Sequence, residues 1–198
     1  MKIKNLKSCL SVDRLKIKNY KNSKQRGFTI LETLVAIFIL VLSITGPMVF
    51  AQSGLRASFQ SRDQITAFYL AQDVIETVKN IRDDNAIDGD DWLVGLVGAG
   101  KCSSSNPCMI DTTESSPTAV SCGSTCPALN IVDDVNGIKY TYSGGSESRF
   151  TRTTYINQIS NDEAEVVVEV EWITPVRVGR NRIVVQENIY NWVPGSGI

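Results

Sequence analysis

The chain contains no histidine. That removes Ser-His-Asp and Cys-His catalysis, and every His-ligated metal site. Its body is also poor in positive charge. Residues 28–198 hold eleven Lys or Arg against twenty Asp or Glu, a net −9. Nucleic-acid binding needs a basic footprint, so no nucleic-acid partner is expected. A Walker loop, a dinucleotide fingerprint and a supported pair of catalytic acids are missing as well. The chain therefore does not read as an enzyme: it offers no catalytic residue and no metal ligand set, and needs no cofactor.

What is present is divided along the chain. The formal charge of −1 conceals a basic start. Residues 1–27 carry nine Lys or Arg against Asp13 alone, a net +8. Then comes Phe28 to Phe50, FTILETLVAIFILVLSITGPMVF, an almost continuous apolar run with one charge, Glu32. As a helix it reaches about 33 Å at about 1.5 Å per residue, enough for a bilayer core of about 30 Å. The positive residues before it stay cytoplasmic, so residues beyond 50 are expected outside. An ordinary secretory signal places its small-residue site after the apolar stretch. Here Gly27 precedes the stretch, so cleavage there would leave the helix on the mature protein.

From Ser53 to Ile81 the pattern turns amphipathic. Leu55, Phe59, Phe68, Ala71, Val74, Ile75, Val78 and Ile81 recur mostly at steps of three and four. Arg62, Asp63, Asp73, Glu76 and Lys79 fall on the other side. One helix is expected from about 29 to about 84, kinked at Gly46-Pro47 because proline removes a helical hydrogen bond. The acidic loop Asp83 to Asp91 should end it. Read as a calcium loop from Asp84, it has Ala86 at the third position and Gly95 at the twelfth, where a Glu is wanted. A solvated acidic helix end is the better account.

Residues 92–127 are rich in Gly, Ser, Thr and Pro and hold Cys102, Cys108, Cys122 and Cys126. Their spacing lacks the C-x2-C knuckles of a zinc site. Outside the cytoplasm two disulfides are expected. Of three possible pairings, Cys102–Cys108 with Cys122–Cys126 is the local one. Cys102–Cys126 with Cys108–Cys122 is the nested one, and both stay open. Cys9 lies apart in the basic segment and has no assigned role. From about 128 the period becomes two. Asn136-Gly137 separates ALNIVD from IKYTY, a hairpin signal. RFTRTTYINQI, AEVVVEVEWIT and RIVVQENIYNW follow. In AEVVVEVEWIT, Val166, Val168, Val170 and Trp172 share one face and Glu165, Glu169 and Glu171 the other, as in a half-buried antiparallel strand. A meander of four or five strands results, and its apolar face needs a cover. Trp92, Trp172 and Trp192 are expected to pack in the core or on the sheet rather than line a glycan-binding surface.

The stretch Arg26-Gly27-Phe28-Thr29-Ile30-Leu31-Glu32, continued as TLVAIFIL, resembles the N-terminal signature of type IV pilins and of type II secretion pseudopilins. The resemblance is strong over residues 24–50 and looser to Ile81. It implies an α+β, pilin-like fold: a long N-terminal α-helix whose C-terminal half packs on an antiparallel β-sheet, with a disulfide-bearing loop. It implies a basic leader over 1–27, a transmembrane or filament-core helix over 28–50, and an amphipathic helix over 51–84. A globular region over 85–198 follows, with loop 85–127 and sheet 128–193. A prepilin peptidase would cut between Gly27 and Phe28. Phe28 would be N-methylated. Glu32 would pair with the terminal amine of a neighbouring subunit. A carboxylate in an apolar span costs roughly 2.5–3.5 kcal/mol at mid-membrane and less near the interface, so it seeks a counter-charge. The implied partners are other pilin subunits, the peptidase, a pilus or secretion assembly platform and membrane lipid. The implied location is the cytoplasmic membrane, single-pass with the N-terminus inside, then an extracytoplasmic filament. FYLAQDVIETVKNIRDDN before a β-rich tail looks like minor pilins more than major ones. The alternative is a non-polymerising, single-pass membrane-anchored adhesin or binding module that keeps its leader.

Overall fold

The computed structural model describes residues 27–135, 137–174 and 179–192. The basic segment 1–26 with Cys9, and Asn136 of the expected hairpin, lie outside them. The chain divides into two units, residues 1–48 and 49–198. Helix α1, Ile30–Asp88, contributes to both and runs unbroken through Gly46 and Pro47.

Four further turns of periodic apolar sequence explain the packing of α1 in the second unit. Ala67, Leu70, Ala71, Val74, Ile75, Val78 and Ile81 are buried at steps of one, three and four, one face of a helix. The expected stripe is shorter than its sequence pattern. Leu55, Phe59 and Phe68 are exposed, because the sheet covers α1 only from about Asp63 onward. Asp63, expected on the outer side, is instead 3% exposed. α1 also outlasts its expected end near 84. It stops at Asp88, where Gly89 takes a φ of 81° and the Asp90 amide donates to the Asn85 carbonyl at 2.9 Å. This left-handed glycine with a six-to-one hydrogen bond is a standard helix stop. The acidic run is thus mostly helix end, and among the described residues no three His, Cys, Asp or Glu side chains lie together as metal ligands do.

Among the described residues seven strands follow: β1 Cys108–Ile110, β2 Ala119–Ser121, β3 Ala128–Asp134, β4 Gly137–Thr141, β5 Ser146–Gln158, β6 Glu163–Ile173 and β7 Arg180–Tyr190. All pairings are antiparallel. β5 is central. β6 and then β7 lie on one side of it, and β3 and β1 share the other. The five longer strands coincide with the five alternating runs. β1 and β2 lie inside the segment expected to be loop. Each has three residues, too few for a period of two to show in sequence.

Alternation decides the core. Val166, Val168, Val170 and Trp172 of β6 face inward with Phe150 and Ile156 of β5 and Ile189 of β7, against the buried face of α1. A fully buried Val, Ile or Phe contributes roughly 1.5–3 kcal/mol. Gly145, between β4 and β5, has a φ of 70°, and a Cβ there would overlap the Ile131 carbonyl of β3. The turn tolerates no side chain. Trp92 and Trp172 are buried, while Trp192 is exposed and its indole donates to the Asp83 carboxylate at 2.8 Å.

Candidate functional site

The start of α1 is built by Thr29. Its Oγ1 accepts the Glu32 amide at 3.2 Å, and its carbonyl accepts the Thr33 amide at 3.2 Å. Thr29 is therefore the N-cap of the helix, and Thr-x-x-Glu is the sequence form of a capping box. The sequence reading passed over Thr29 although this signal was in plain sight. The cap keeps Gly27 and Phe28 outside the helix, on exposed backbone, with Phe28 80% exposed. A peptide bond outside the helix has no helical hydrogen bond to break before a protease can seat it.

Glu32 lies in the first turn, where a negative charge complements the partial positive charge of the helix start. Among the described residues no cation pairs with its carboxylate. Around it, every residue from Ile30 to Phe50 is exposed. The helix is long and apolar enough to cross a membrane, and among the described residues none of its most apolar stretch is buried. Its few hydroxyls are satisfied internally. Thr33, Ser43, Thr45 and Ser53 donate to the carbonyls three residues back, at 2.8, 2.8, 3.3 and 2.9 Å. In an apolar surrounding such bonds remove the penalty of a bare hydroxyl. Pro47 has no amide to offer the Ser43 carbonyl, so one link of the ladder is missing there.

In the second unit the cysteines pair locally, Cys102 with Cys108 and Cys122 with Cys126, at Cα separations of 5.0 and 4.8 Å. Cys102 and Cys108 belong to the core. The first bridge therefore anchors β1 and the loop before it to the packed interior.

Three charged groups pin α1 and β1 to the sheet. Arg152 of β5 stands in the inward row, 1% exposed. Its guanidinium donates to the Leu70 carbonyl at 3.1 Å and the Ile110 carbonyl at 2.8 Å. It also lies 3.5 Å from the Asp73 carboxylate. Asp63 takes an ion pair from Arg149 at 3.1 Å. Asp111 accepts from the Thr141 hydroxyl at 2.8 Å and the Tyr142 amide at 3.0 Å, and from both the amide and the hydroxyl of Thr113. Burial pushes the Asp111 carboxyl upward, but the hydrogen bonds from Thr113, Tyr142 and Thr141 outweigh it and hold it below the usual range. Sequence reasoning missed all three. An Arg among Phe150, Thr154 and Ile156 has no local mark that distinguishes a buried clasp from a solvated charge.

Comparison with curated proteins and with solved structures finds no match to this chain. Residues 22–46 match the prokaryotic N-terminal methylation motif. The match spans Lys24 and Arg26, the Gly27–Phe28 bond, the Thr29 cap, Glu32 and most of the exposed apolar run that ends at Phe50. The matched motif is the type IV pilin and pseudopilin signature, and here it is joined to a long helix on an antiparallel sheet, the arrangement on which the resemblance to those proteins rests.

Proposed function

We propose that the protein is a minor pilin or pseudopilin: a structural subunit that inserts as a single-pass precursor and enters an envelope filament. A prepilin peptidase severs it between Gly27 and Phe28 and methylates the new terminal amine. Residues 1–27 stay on the cytoplasmic side, and the β-rich body lies beyond the membrane. The protein is a substrate of the peptidase and catalyses nothing itself. In the filament the apolar helix packs against the helices of other pilin subunits. The Glu32 carboxylate then meets the Phe28 amine of a neighbour, and lipid and an assembly platform complete its surroundings.

The observation that carries this reading is an N-terminal methylation motif over residues 22–46 that runs into an exposed apolar helical stretch whose lone charge up to Phe50 is Glu32. A plain anchor needs neither that charge nor a small residue ahead of the apolar run. The test is the intact mass of the protein extracted from membranes. The expected result is loss of residues 1–27 and gain of one methyl group. A chain that keeps its leader would instead be a permanently anchored binding module, and the filament reading would fail.

A further inference from the structure

The face of the sheet turned away from α1 is not flat. A groove of about 440 Å³ opens along β5 and β6, within the range of about 300–1,000 Å³ common to small-ligand sites. Its floor is the outward row Thr151, Thr153 and Tyr155 of β5, set beside Glu169 and Glu171 of β6. One wall is the loop closed by Cys122–Cys126, which presents Ser124 and Thr125. The Cys122 amide donates to the Pro107 carbonyl at 2.9 Å, which ties that wall to the chain just before β1. Arg180 of β7 stands at the opposite rim.

The charges of the groove are internally balanced. Glu171 pairs with Arg180 at 3.1 Å, and Glu169 pairs with Arg182 at 2.9 Å. The carboxylates are 31% and 20% exposed, against 71% and 57% for the arginines. The acids are therefore held in the floor, and the guanidinium groups lie over the edge. A cationic ligand would have to displace an arginine from each acid. An anionic one would meet those acids directly. What the groove offers without rearrangement is a mixture of hydroxyl donors and acceptors, two carboxylates with free lone pairs, and one aromatic ring.

We propose that this groove binds a neutral saccharide. Its hydroxyl groups would be taken by Glu169, Glu171 and the threonines, and one C–H face would rest on Tyr155. A carboxylate that is already paired still has lone pairs for sugar hydroxyls. A tyrosine supplies apolar area with a polar tip. The disulfide holds the wall in place before the ligand arrives, which reduces the ordering cost of binding. The groove lies wholly in the globular unit, so the proposal stands apart from the filament reading.

The test uses the full chain in lipid nanodiscs, applied to a printed array of neutral oligosaccharides with heparin and oligolysine as charged controls. Retention by neutral saccharides is expected. It should fall about tenfold or more in Thr153→Lys, which fills the groove with a charged chain, and in Tyr155→Ala. Ile138→Lys, on the exposed face of β4, should leave it unchanged. Unaltered circular dichroism and unfolding temperature in Thr153→Lys would exclude simple misfolding. Glu169→Gln, of equal size, gives a second reading and should weaken retention. Binding to no neutral saccharide, binding to oligolysine alone, or retention that survives Thr153→Lys and Glu169→Gln would overturn the proposal.

Discussion

The two parts of α1 share one backbone conformation and differ in everything that covers them. Residues 30–48 are apolar on all sides and exposed on all sides. Residues 67–81 are apolar on one side and buried on that side, against the sheet. The hydrophobic effect acts on both, but among the described residues only the second part is buried. A helix apolar all round is suited to burial on every side, in a membrane or among other helices. Periodicity, more than hydrophobicity, separates a helix that completes a core from one that waits for a membrane or a neighbour.

The largest expected effect sharpens this contrast at its only charge. Glu32→Leu makes the first part uniformly apolar. Membrane insertion and cleavage should stay normal while filament incorporation is almost lost, as read by shearing surface filaments and blotting. Normal incorporation would remove the pairing role from that carboxylate. Next comes a matched pair of truncations. Ile75→Ala should lower the stability of the globular unit by about 2–5 kcal/mol, since it empties a packed site. Leu42→Ala, in the uncovered part, should leave the same denaturation curve unmoved. Equal effects of the two would break the comparison.

The disulfides come third. Replacing Cys102 and Cys108 with serine should cost about 2–4 kcal/mol. The Cys122 and Cys126 pair, outside the core, should cost less in urea unfolding. The smallest effect is that of acid. The folded pKa of Asp111 is depressed below its ordinary value of 3.8. Its contribution is thus complete above that value and drains away as pH falls through the folded pKa. Asp111→Asn should flatten the acid limb of the stability–pH curve. An unchanged limb would assign it to other carboxylates.

The legibility of the sequence follows the range of the forces involved. The strand over 163–173 could be read because alternation is local: Val166, Val168 and Val170 face in, and Glu165, Glu169 and Glu171 face out with Val167. The cap at Thr29 was legible by the same logic and was overlooked. Arg152 was not legible. Whether a guanidinium reaches water or two carbonyls depends on Leu70 and Ile110, which lie 82 and 42 residues away. β1 and β2 escaped for a related reason, since three-residue strands exist only where a neighbour already offers an edge.

The amino-acid order alone therefore determined the N-terminal methylation motif, the membrane-length helix, the five long strands and the face that β6 turns inward. These depend on contacts between near neighbours, on side-chain period and on length. Only the tertiary structure decided which cysteines pair, where the sheet stops covering α1, and that Asp63, Asp111 and Arg152 are buried clasps. It alone raised a disulfide-closed wall over the outer face of β5. Each of these is a meeting of distant segments, and its free energy exists only once the chain has brought them together.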